Sequence, residues 1–256
     1  MSDYDRNARA QWGASVGRAG AAEIDQGLRS YMLGVYNYMT LGLGVTGLVA
    51  FGAKMLGTVS DASGHIVGLT PLGQALYASP LKWLVMLAPL AFVLIFSFRI
   101  DRMSAASARN MFIAFAAVMG LSLSTLLIVF TGVSVARAFF VTAAAFGGLS
   151  LYGYMTKRDL SAFGSFLVMG LIGLIIASLV NLFVQSTAFQ YGLSVLSVLI
   201  FSGLTAWDTQ AIKEMYYASD DYEVATKKSI NGALMLYLDF VNIFQSILAL
   251  TGSRND

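Results

Sequence analysis

The chain contains no cysteine, so disulfides, thiol catalysis and cysteine-ligated metals are all excluded. Histidine is nearly absent too: His65 is the only one, and it falls in a polar stretch between apolar runs. A serine protease of the Ser–His type would need a histidine at membrane depth, and a histidine metal cluster would need several. Only three prolines occur, Pro71, Pro80 and Pro89, so helices can run long with little interruption. Charge is scarce: 12% of residues are Asp, Glu, Lys or Arg, about half the share in a soluble domain. No basic run interleaved with aromatics exists, which argues against a nucleic-acid partner.

What fills the chain instead is apolar. Of the 256 residues, 57% are hydrophobic, and the charges are separated by long gaps. Between Asp159 and Asp208 lie 48 residues without a charge, room for two spans of about 20 residues each. The expected fold is an all-α integral membrane protein with seven transmembrane helices. The spans read 31–53, 81–98, 109–131, 135–156, 160–184, 191–213 and 230–251. Residues 1–29 read as a polar cytoplasmic N-terminal tail without an apolar core, and 30–256 as a single transmembrane domain. The segment 214–229 reads as a solvated inner turn. The lipid bilayer is the first partner. With the N-terminus inside, the inner segments hold 12 basic residues and the outer ones hold 4, Lys54, Lys82, Arg137 and Arg254. The positive-inside bias then places the N-terminus in the cytoplasm and the C-terminus outside.

Two acids break the apolar pattern. Asp208 and Asp239 sit inside the sixth and seventh spans, where a carboxylate costs roughly 2.5–3.5 kcal/mol on insertion scales. Residues so placed face a cavity or a partner and mark an ion or proton path. At 1.5 Å per residue Asp208 lies roughly 7 Å from its helix end and Asp239 roughly 16 Å from its own, about 9 Å apart in depth. Steps of three and four residues align Asp239 with Asn231, Asn242 and Ser246 on one face. The same steps align Asp208 with Ser194, Ser197 and Thr205. Asn242, Thr205 and Ser246 are therefore either ion-path groups or interhelical hydrogen bonders. Arg99, at the inner end of the second span, is placed either to meet Asp208 as a counter-charge or to snorkel to the headgroups; Arg102 is the alternative partner.

Two carboxylates close together in low dielectric do not both ionise; they share a proton. Losing that proton adds repulsion and loosens the helix contact, which makes a pH-sensitive latch. The same oxygens, with Asn242 and carbonyls, form a weak and transient calcium site, since calcium prefers six to eight oxygens. No cofactor is expected; calcium enters as the permeant ion. The run Gly42 to Gly47 spells G-x-G-x-x-G, but it lies inside an apolar span and reads as a packing surface. No lysine stands mid-way along the seventh span to hold retinal. No nucleophile–base pair is evident, so an enzyme is not expected.

Residues 201–213, FSGLTAWDTQAIK, resemble the sixth-helix motif of the Bax inhibitor-1 family, and residues 236–244, LYLDFVNIF, resemble its seventh-helix motif. Residues 29–38, RSYMLGVYNY, are similar to the start of its first helix. The resemblance implies a last helix wrapped by the other six. It implies a pH-sensitive calcium leak gated by the pair Asp208 and Asp239, with Arg99 pairing with the first. Some members carry an acid within the second helix; Leu81 to Phe98 holds none. The bacterial inner membrane is the implied address. Two other activities are compatible: a non-conducting regulator of a membrane protease or other membrane partner, and a proton-coupled cation exchanger.

Overall fold

A computed structural model describes residues 3–61 and 66–255, with side chains described from residue 26 onward except Asp101. His65 and the side chains of the tail, Trp12 among them, lie outside the described residues. Seven long helices are present: α1 (Asp3–Gly57), α2 (Leu81–Arg99), α3 (Ala105–Val129), α4 (Gly132–Met155), α5 (Ser161–Val184), α6 (Thr187–Glu214) and α7 (Tyr222–Thr251). Each contains a stretch long and apolar enough to cross a membrane, which in α1 is Gln26–Gly57. The protein is an all-α integral membrane protein.

Helix starts follow capping chemistry. Ser104, Thr131, Ser186 and Asp221 each accept a hydrogen bond from the backbone N–H three residues on, which satisfies a donor that the helix itself leaves free. The cap at Asp221 corrects the sequence reading of 214–229 as a loop. The helix begins at Tyr222, so the polar residues up to Lys228 form its first turns. Lys228 bridges back to Asp220 at 2.6 Å. The segment 54–80 also has more structure than a loop. β1 (Thr58–Ser60) pairs antiparallel with β2 (Ile66–Leu69), and a single helical turn at Pro71–Gly73 follows, capped by Thr70. Pro89 sits inside α2 without ending it.

The last helix is the axis of the bundle. Half of its most apolar window (50%) is buried inside protein, against 11% for α2 and for α5. It packs chiefly on α6, α1, α4 and α3. Helix α2 leans mainly on α3, and α5 mainly on α6. The expectation of six helices wrapping the seventh is thus met by four inner and two outer ones. The outer pair faces lipid, where dispersion contact with acyl chains replaces contact with protein.

The segment after α7 is stitched to the turn between α3 and α4. Ser253 accepts from the Thr131 N–H at 3.0 Å and donates its own N–H to the Ser134 hydroxyl at 2.9 Å. Asn255 donates its backbone N–H to the Val129 carbonyl and its amide to the Ile128 carbonyl, each at 2.9 Å. At the opposite end, buried Gln210 clasps the α4–α5 turn. It accepts from the Leu160 N–H and donates to the Arg158 carbonyl, both at 2.8 Å. Gln210→Leu leaves a partly buried backbone donor and acceptor unmatched. We expect a loss of roughly 1–3 kcal/mol, read as earlier thermal unfolding in detergent.

The candidate gating site

The α6–α7 hairpin fixes which residues meet. Antiparallel helices with equal rise keep the sum of facing residue numbers nearly constant. A side chain built on Gly232 would press on Ile212, with its Cβ 2.9 Å from the Cγ2. The Ser246 and Ser197 hydroxyls meet at 2.8 Å. Asp208 and Asp239 follow the same rule, and their carboxyl groups lie close enough to interact. The remaining offset is about three residues, roughly 4.5 Å. Helical side chains lean toward their own N-termini, so in an antiparallel pair these two lean toward each other and close it.

This register also explains why the depth estimate from sequence was too wide. It measured each acid from a charged residue at its own helix end, as if the two ends lay in one plane. In fact Lys213 of α6 is level with about residue 231 of α7, three residues past Lys228, so the roughly 9 Å separation shrinks by about half.

Both acids are buried: Asp208 is 8% exposed and Asp239 is 3%. Among the described residues neither has an ion pair, and the Asp239 Oδ2 has no hydrogen-bond partner. Two carboxyl groups hold a hydrogen bond only with a proton between them, because an ionised carboxylate only accepts.

Apolar layers lie on both sides of the pair. Toward the far ends stand Phe201, Leu204 and Ile243. Toward the α6–α7 turn stand Ile212 and Ile230, packed with Tyr31 and Met32. Beyond the first layer, two cavities of about 490 and 780 Å³ share Gln190, Ser194, Asn242 and Ser246. The smaller is also lined by Arg254. Polar lining thus runs from the C-terminal ends of α5 and α7 and the N-terminal end of α6 to Asn242, which is three residues from Asp239 and roughly 4.5 Å in rise.

The other predicted residues separate into groups. Asn242 and Ser246 line the cavities while also bonding within their own helix, Asn242 to the Leu238 carbonyl and Ser246 to the Asn242 carbonyl, each at 2.8 Å. Thr205 is fully buried and donates back to the Phe201 carbonyl at 2.7 Å, so it is a packing residue here. Arg99 and Arg102 are both exposed, and neither makes an ion pair with Asp208 or Asp239 among the described residues. The expected counter-charge contact is therefore corrected. Helix α2 is an outer helix, so the guanidinium at its end extends to the surface, where it keeps its solvation.

A polar chain beside the pair did not stand out in the sequence. The Tyr36 hydroxyl meets Ser150 at 2.7 Å, and Ser150 meets Thr209 at 2.9 Å, linking α1, α4 and α6 next to Asp208. Single hydroxyls in apolar helices carry little signal one by one. Their only sequence mark is that Tyr36 and Thr209 fall within two of the motifs quoted above.

Seven spanning helices, the last of them central, with a carboxyl pair enclosed between the last two, define a polytopic membrane protein with a buried di-acid centre. The comparisons specify it further. Residues 28–256 match the family model described as Inhibitor of apoptosis-promoting Bax1. A Rickettsia prowazekii protein is 44% identical over 233 residues, covering 91% of this chain and 93% of the relative. A Caulobacter vibrioides protein is 43% identical, covering 91% and 92%. The Escherichia coli inner membrane protein YbhL is 41% identical, covering 89% and 93%. The chain belongs to the Bax inhibitor-1 family.

Proposed function

We infer that this protein is a passive, proton-regulated calcium leak of a bacterial inner membrane, with its N-terminus in the cytoplasm and its C-terminus outside. The observation that carries the reading is the contact between Asp208 and Asp239 at the centre of the bundle. The shared proton holds α6 against α7. Its loss leaves two charges facing each other with no ion-pair partner among the described residues, and the contact loosens by Coulomb repulsion. A calcium ion passing the loosened pair meets two carboxylates and the neutral oxygens of Asn242 and nearby carbonyls. Such a set binds weakly, as passage requires. The cavities above Asn242 serve as the approach from outside.

The name of the Escherichia coli relative supports the inner-membrane address, and the charge bias supports the orientation. The test is calcium release from vesicles containing purified protein. We expect release down the calcium gradient, varying between about pH 5 and pH 9, and unchanged when residues 1–25 are deleted. Vesicles no leakier than empty ones at every pH would end the proposal. Release lost with the deletion would favour control of a partner through the tail. Uphill movement driven by a pH gradient would make the protein an exchanger instead.

A further inference from the structure

The bundle has a second cavity type, unrelated to the acids. Between α1 and α4, with α3 and α7 behind, lies an apolar crevice of about 460 Å³. Its mouth is flanked by exposed Phe51 and Phe140, and its back wall is Phe240 and Phe244 of the central helix. It opens sideways from membrane-spanning segments, so hydrocarbon is what stands at the mouth. Water finds no partner inside. The Thr46 hydroxyl on its wall is already committed to the Ala116 carbonyl at 2.9 Å and the Tyr237 hydroxyl at 2.6 Å, and a cavity without free polar groups stays dry.

One free charge marks the rim. Lys54 lies three residues before the end of α1, and among the described residues it has no ion pair. From Leu43 to Lys54 the crevice runs roughly 16 Å along α1. The hydrocarbon core of a bilayer is about 30 Å thick, so one leaflet is about half that. A chain entering with its headgroup beside Lys54 would therefore fill the crevice to the membrane midplane. Small residues keep the way open: a side chain at Gly47 would meet nothing within 4 Å.

We propose that the crevice between α1 and α4 binds one acyl chain of an anionic phospholipid, whose phosphate is held by Lys54. The lipid touches Phe240, the residue after Asp239, and so contacts the central helix directly.

The test is native mass spectrometry of delipidated full-length protein titrated with phosphatidylglycerol, phosphatidylcholine or inorganic phosphate. We expect one phosphatidylglycerol retained about fivefold more strongly than phosphatidylcholine. Lys54→Gln should remove that preference. Gly47→Phe should remove the bound lipid of either kind, and Ala136→Phe, at the facing wall, should do the same if Gly47→Phe misfolds. Inorganic phosphate alone should give no complex. An unchanged lipid preference in Lys54→Gln, lipid retained in both blocking variants, or phosphate bound as well as the lipid would each overturn the assignment.

Discussion

Replacing Asp239 with asparagine should flatten the pH dependence of calcium release while leaving the protein folded. The asparagine amide has the shape of a carboxyl group and donates permanently to the Asp208 oxygens, which the wild-type pair does only while it keeps a proton. The contact between α6 and α7 then persists at every pH. Asp208→Asn should act in the same way, because the pair rather than either residue titrates. A switch that releases one proton changes its populations by at most about tenfold per pH unit, so the wild type should approach that steepness and the variants should show none. The measurement is initial calcium efflux from vesicles across the pH range, with folding checked by thermal unfolding. An Asp239→Asn protein that keeps the wild-type pH profile would show that the proton sensor lies elsewhere.

The second large effect concerns stability. Gly153 of α4 lies against the backbone of α6. A Cβ there would overlap the Ala206 carbonyl and sit 2.9 Å from its carbon and 3.0 Å from its Cα. Backbone atoms cannot rotate aside, so α4 would have to move away. That movement strains the Ser150–Thr209 contact and the hydrogen bond at 3.0 Å from Lys213 to the Tyr154 carbonyl. Overpacking of this kind costs about 1–3 kcal/mol. Alanine regains up to about 1 kcal/mol of helix propensity, so Gly153→Ala should be destabilised on balance and Gly153→Val more so. Gly147 and Gly148, on the same helix, meet nothing within 4 Å. Alanine at either should be neutral or stabilising by up to about 1 kcal/mol. Opposite shifts in melting temperature for one substitution on one helix would locate the close approach; equal shifts would refute it.

The number and order of spans were legible because charge is expensive in lipid and the chain avoids it for long stretches. Helix ends were less legible because a helix does not stop where the membrane does. The polar start of α7 follows a capping signal, Asp221 with Glu223 in the first turn, and reading polarity alone passed over it. The two aspartates were found from their cost alone. Their pairing was expected from the short loop between the helices and from the resemblance, but not its register, which depends on how far α7 projects past α6 and which no local pattern encodes. Arg99 was misplaced for a related reason. Its charge and its place at the end of the second span were readable, but whether α2 is an inner or an outer helix is a property of the packing. The β1–β2 hairpin is short, and its alternation spans too few residues to show against the polar background.

The mooring of residues 253–255 to the α3–α4 turn has a mechanical consequence. It anchors one tip of the central helix, so any tilt of that helix would pivot there. Asp239 lies roughly 20 Å from that pivot and the free tip at Tyr222 roughly 45 Å. A swing of about five degrees would carry the first some 2 Å and the second about 4 Å. Small tilts would therefore be felt least at the moored tip and most where α7 projects beyond α6.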